Sequence, residues 1–109
     1  MFARFFDTTA VDEFADWVVD EVKRALPASF DPNLQNMAQK VDRLDKRIAE
    51  RSVTFAKSTK LNLYQKARLA GRVQEGMNAH GYPKSFVATF SMTIVKSVMA
   101  VSRKPRVPV

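Results

Sequence analysis

Val11, Phe14, Val18, Val22 and Leu26 recur at spacings of three and four, which is the repeat of one face of an α-helix. This pattern constrains the chain most, because it returns further along and each time is bounded by residues that start or stop helices. Asp7 stands as the N-cap of the first stripe, with Phe6 and Val11 placed as a hydrophobic staple. Pro27 ends it, since a proline supplies no amide to the ladder. Asp12, Glu13, Asp16 and Asp20 fall on the opposite face, and Trp17 and Val19 flank the stripe.

A second helix begins at Asp31-Pro32, an N-cap followed by proline at the first helical position. Leu34, Met37, Val41, Leu44, Ile48 and Phe55 then follow a heptad, with Arg51 standing where an apolar residue would continue it. So narrow a seam suits the core of the chain's own bundle. In a parallel dimer it would instead set Lys40 against Asp45 of a second copy. Asn62 and Gln65 form a capping box for the third helix, whose buried side reads as Leu63, Ala67, Ala70, Val73 and Met77, joined by Leu69. Its end is sharply marked: His80 in the last turn, Gly81 able to take the left-handed conformation, Tyr82 able to fold back, and Pro83 forbidding continuation.

The fourth segment reads two ways. Phe86, Phe90, Ile94 and Val101, with Val87 and Val98 beside them, fit one face of a helix, yet Phe86, Ala88, Phe90, Met92 and Ile94 alternate as a strand does. A lone strand would leave its backbone groups unpaired, so a helix is expected. The expected fold class is all-α: a compact bundle of about four helices near residues 8–26, 32–57, 63–80 and 84–102, with antiparallel neighbours joined by short connections. Residues 1–102 read as one domain and 103–109 as a flexible basic tail.

With 109 residues, 46% of them hydrophobic, the chain can fill such a core without staples. It has no cysteine, which excludes disulfides, thiolate zinc sites and iron–sulfur clusters and agrees with a cytoplasmic setting. Phe2, Phe5 and Phe6 with Arg4 are too short a run for a signal peptide, and fit packing over the bundle end or a contact with a membrane interface. Ser85 to Ser102 carries Lys96 and falls short of a membrane span, so the chain is not expected to be transmembrane. The single histidine, His80, fits a cation at a helix C-terminus, and Asp16 and Asp20 fit a solvated face rather than a metal site. No phosphate-binding loop or dinucleotide fingerprint occurs. The expectation is therefore no enzyme, no catalytic residue, no metal, no cofactor and no small-molecule substrate.

Charge is the feature that points to partners. Residues 7–26 hold six acids against Lys23 and Arg24, whereas beyond Glu50 there are eleven Lys or Arg and one acid, Glu75. On the second helix Lys40, Arg43, Arg47 and Arg51 share a sector of roughly 80° beside the apolar seam. Arg68 and Arg72 extend the basic surface on the third helix, Tyr64 is placed to stack, and Lys57, Lys60 and Lys66 surround the connection. Such unpaired like charges suit a phosphate backbone, and guanidinium groups grip it with two donors at once. The leading expectation is a nucleic-acid-binding surface of Lys40, Arg43, Arg47, Arg51, Tyr64, Arg68 and Arg72 without strong sequence specificity. A helix-turn-helix around Ala67 and Gly71 fails, because Lys66 and Arg72 stand where it needs apolar residues. The alternative is a protein-interaction or assembly module, in which the basic ridge meets an acidic protein or the acidic face of the first helix, in the same chain or another copy.

Overall fold

The computed structural model describes residues 7–27 and 35–102, with side chains for 7–27 and 37–101. Within them lie α1 (Thr9–Ala25), α2 (Gln35–Ser58), α3 (Leu63–Ala79) and α4 (Lys84–Ser102), and no strand occurs among the described residues. The Asp31-Pro32 start of the second helix, Leu34, the Phe2, Phe5 and Phe6 cluster and the basic tail lie outside the described residues. The helical bundle expected from the repeat is the fold.

Local signals set most of the boundaries. Asn62 accepts from the Gln65 amide at 2.8 Å while the Gln65 side chain accepts from the Asn62 amide at 3.0 Å, completing the capping box. At the other end of α3, Gly81 has φ 84°, the Gly81 amide donates to the Asn78 carbonyl, and the Tyr82 amide donates to the Met77 carbonyl. These two bonds are the Schellman arrangement that an αL glycine permits. The start of α1 differs from expectation. Thr8, not Asp7, is the N-cap residue and gives no side-chain cap bond, while Asp7 Oδ1 accepts from the Thr9 amide at 3.0 Å.

The direction of the helices follows from the register of their contacts. Gln65 Nε2 donates to the Asp7 carbonyl at 2.8 Å, Arg68 meets Asp12, Arg72 meets Asp16, and the Tyr82 hydroxyl donates to the Leu26 carbonyl at 2.6 Å. The offset stays nearly constant, so α1 and α3 run parallel. Phe14 against Phe55, Arg51 over Trp17, and Arg47 against Glu21 run the opposite way, so α1 and α2 are antiparallel. The tight turn at Gly81 reverses α4 against α3. Consecutive helices thus alternate in direction as expected, but the pairs that pack most extensively, α1 on α3 and α2 on α4, are parallel ones. The backbones of the consecutive helices α2 and α3 stay apart, with no Cα of one within 8 Å of a Cα of the other among the described residues. The reason lies in α4, the most apolar helix, which occupies the position between them.

Val18, Val22, Leu44, Ile48, Leu69, Val73, Met77, Phe90, Ile94 and Val98 are fully buried where the four helices meet. Along α2 the buried line runs from Leu44 and Ile48 to Ser52 and Ala56, bypassing Arg51. A strict heptad drifts on a straight helix of 3.6 residues per turn, so the inward position moves on by one residue. On α3 the expectation fails at the first turn: Leu63 and Ala67 face solvent, and Leu61, before the cap, packs against the core instead. The helix–strand ambiguity of the fourth segment is resolved by α4 being apolar on two sides. Phe86, Val87, Phe90, Ile94 and Val98 face inward, whereas Ala88 and Met92 face out. By length and composition the window Lys84–Val101 could cross a membrane, and a third of it is buried inside the bundle.

Candidate functional site

α1 is the element that decides the fate of the basic residues. Its apolar centre, Val11, Ala15, Val18 and Val22, faces the core and leaves two flanks. One flank carries Asp12, Asp16 and Val19 towards α3. The other carries Phe14, Trp17 and Glu21 towards α2.

On the α3 side, Arg68 Nε donates to Asp12 Oδ1 at 3.1 Å and Arg68 Nη2 to Oδ2 at 3.4 Å, a forked pairing. Arg72 Nη2 donates to Asp16 Oδ1 at 3.3 Å, and Arg72 Nε lies 3.7 Å from Asp12 Oδ1. The Thr8 hydroxyl also donates to Asp12, at 3.1 Å. The Arg68 hydrogen bond, supported by Thr8 and by the charges of Arg68 and Arg72, holds the Asp12 carboxyl below the ordinary aspartate range against the opposing effect of partial burial. The same contact raises Arg68.

On the α2 side, Glu21 lies between Arg24 and Arg47, the latter 3.2 Å away. The Arg51 guanidinium sits 4.8 Å from the centre of the Trp17 ring, a cation–π contact. Phe14 stacks on Phe55 with centroids 4.4 Å apart and packs against Trp17 at 5.5 Å. These groups make one column, Phe55, Phe14, Trp17 and Arg51, along the α1–α2 seam.

The seven residues expected to bind nucleic acid therefore do not form one surface. Arg47, Arg68 and Arg72 are held by carboxylates of α1, Arg51 covers Trp17, and α1 stands between the α2 and α3 rows. Tyr64 is 43% exposed at the start of α3. Lys40 and Arg43 remain on the outside of α2 with no carboxylate in ion-pair range among the described residues. The alternative, a ridge on the second helix meeting the acidic face of the first, holds only for Arg47, which reaches Glu21, while Asp12 and Asp16 of that face meet Arg68 and Arg72 of α3 instead. Sequence reasoning lacked the α1–α3 register that brings these groups together.

The same register places a shallow groove between the later halves of α1 and α3, lined by Asp16, Asp20, Arg72, Glu75, Gly76 and His80. His80 thus shares a groove with three carboxylates that sequence spacing did not connect with it. No group of three metal-binding side chains converges among the described residues. Burial of Asp45 on α2, with the like charge of Asp42 nearby, raises its carboxyl pKa against the opposing effect of the Thr93 hydroxyl of α4.

A second surface lies on α4. Ala88, Met92, Val95 and Met99, spaced four, three and four, form an outward seam in which Met92 is 51% and Met99 38% exposed. Thr89, Thr93 and Lys96 border it, and a shallow depression runs along Ala88, Met92 and Lys96. No protein family, curated protein or solved structure matches this chain.

Proposed function

We propose that the chain is a non-enzymatic helical module that works by protein–protein assembly, pairing with a second copy of itself along the outer seam of α4. The single observation that carries this reading is the uncovered seam Ala88, Met92, Val95, Met99 on a helix whose inner face is already buried. Its spacing is the knobs-into-holes repeat of two packed helices. It is also palindromic: a two-fold axis between Thr93 and Ile94 sets Ala88 opposite Met99 and Met92 opposite Val95. Small residues then face large ones, and Lys96 does not meet itself. An isologous interface needs this self-complementarity.

The seam is roughly 16 Å long at 1.5 Å per residue, short of the ~800 Å² per partner of a standard interface, so the pairing is weak. Light scattering of the parent protein at rising concentration is the test, set against Met92→Lys. The parent shifts towards dimer at concentrations of order 100 µM while the variant stays monomeric. A parent that remains monomeric at millimolar concentration overturns the reading, as does a dimer indifferent to Met92→Lys.

The nucleic-acid reading rests on Lys40 and Arg43. Two phosphate contacts give a slope of about −1.8 in the logarithm of affinity against the logarithm of salt. Oligonucleotide titrations at several salt concentrations measure it, and binding that is lost in Lys40→Gln/Arg43→Gln would favour this second reading.

A further inference from the structure

The α2–α3 connection lies at the end of the bundle where α1 begins and α4 ends. That end has a composition unlike the rest of the chain. From Arg51 to Gln74 there is no acidic residue. Arg68 and Arg72 in this stretch are neutralised from α1, and Arg51 lies on Trp17. The exposed cations left at the tip are lysines, Lys57 and Lys60, without ion pairs among the described residues, and Asp7 at the start of α1 is the exposed acid on this end. Beside them Leu63 is 72% exposed, the most exposed of the large apolar side chains among the described residues, with Tyr64 next to it.

The local geometry fixes this exposure. The reciprocal Asn62–Gln65 bonds set the first turn of α3, and Gln65 is itself tied to the Asp7 carbonyl. Leu61 turns in to the core, so Leu63 must turn out.

We infer that this pole docks on an anionic lipid bilayer, with Lys57 and Lys60 against the headgroups and Leu63 entering the interface beside Tyr64. Three features favour a bilayer over a nucleic acid. At this pole the guanidinium groups that would clasp phosphates in pairs, Arg51, Arg68 and Arg72, are engaged within the fold, while the free cations are point-charge lysines suited to a diffuse anionic surface. An exposed leucine has apolar area to place below headgroups and no use on a phosphate backbone. Tyrosine beside it is a residue of membrane–water interfaces. This inference is independent of the α4 seam.

The absence of native cysteine permits a unique label. Leu63→Cys and Ala79→Cys, at opposite ends of α3, are each labelled with an environment-sensitive fluorophore and mixed with vesicles of phosphatidylcholine alone or with 30% phosphatidylserine. The label at 63 shifts to the blue on the anionic vesicles only, and the label at 79 does not move. Co-sedimentation of the unlabelled protein gives the partition, which the Lys57→Gln/Lys60→Gln variant weakens roughly 30-fold, about fivefold for each charge removed near the surface. These exposed substitutions leave the thermal melt unchanged. Absent co-sedimentation at low salt overturns the inference. So do equal shifts at 63 and 79, and so does a 63 label that answers to oligonucleotides but not to vesicles.

Discussion

At Gly76, α3 packs tightly against Val19 of α1. A Cβ built there lies 2.8 Å from Val19 Cγ2, 3.4 Å from Cγ1 and 3.6 Å from Cβ. Val19 is buried and β-branched, so its χ1 in a helix is largely fixed and the methyl cannot swing clear. Gly71 sits on the same helix with nothing within 4 Å of its would-be Cβ. Both positions are helix interior, so alanine gains about 1 kcal/mol of backbone propensity at each. At Gly71 that gain stands alone, and Gly71→Ala should stabilise by about that amount. At Gly76 overpacking opposes it with about 1–3 kcal/mol, leaving Gly76→Ala from near neutral to about 2 kcal/mol destabilised. Since the propensity gain is common to both, the gap between the variants reports the contact itself, roughly 4–15 °C in Tm for a domain of this size. Thermal and urea denaturation followed by helical circular dichroism would read it. Adding Val19→Ala to Gly76→Ala should recover stability beyond additivity. Equal effects of alanine at 71 and 76 would refute the close parallel packing of α1 on α3.

Two further substitutions test the polar interior. Asp12 has its carboxyl held low by Arg68, so its contribution to stability is present above the unfolded-state value of about 3.9 and is lost as pH falls through the lower folded value. Asp12→Asn should therefore be less stable than the parent near pH 6, and urea midpoints of the two should converge in acid; a constant difference down to the lowest pH would contradict the pairing. Ser52 Oγ is fully buried with no hydrogen-bond partner among the described residues, so Ser52→Ala should raise stability by about 1 kcal/mol in urea titration, and a loss would contradict the desolvated hydroxyl.

Much of this fold is legible from short-range chemistry. The turn at Gly81, Tyr82 and Pro83 and the box of Asn62 and Gln65 are each specified within six residues, and both appear with the expected hydrogen bonds. What the sequence conceals is which helix lies beside which. The apolar stripes of α1 and α2 state that faces are buried without naming their partners, and the acids of α1 meet arginines 56 residues away. That distance separates a row of open guanidinium groups from a set of internal clamps. Leu63 was hidden for another reason: its spacing from Ala67 and Ala70 suits the α3 stripe, but the cap sends Leu61 inward in its place. Likewise Ser52, not Arg51, continues the α2 core, because the helix does not hold the heptad register.

The order of the helices has a consequence for how the chain folds. The contact that ties Leu26 to Tyr82 closes a loop of 56 residues, and α2 and α3, next to each other in sequence, do not pack backbone against backbone as a hairpin would. Closing 56 residues instead of about ten costs roughly 1.5 kcal/mol more in chain entropy. Folding should accordingly be slower than in bundles whose successive helices zip up as hairpins. Cleavage of the 59–62 link would part α1 from α3 and α2 from α4 at once, leaving each half only its smaller interface, α1 with α2 or α3 with α4.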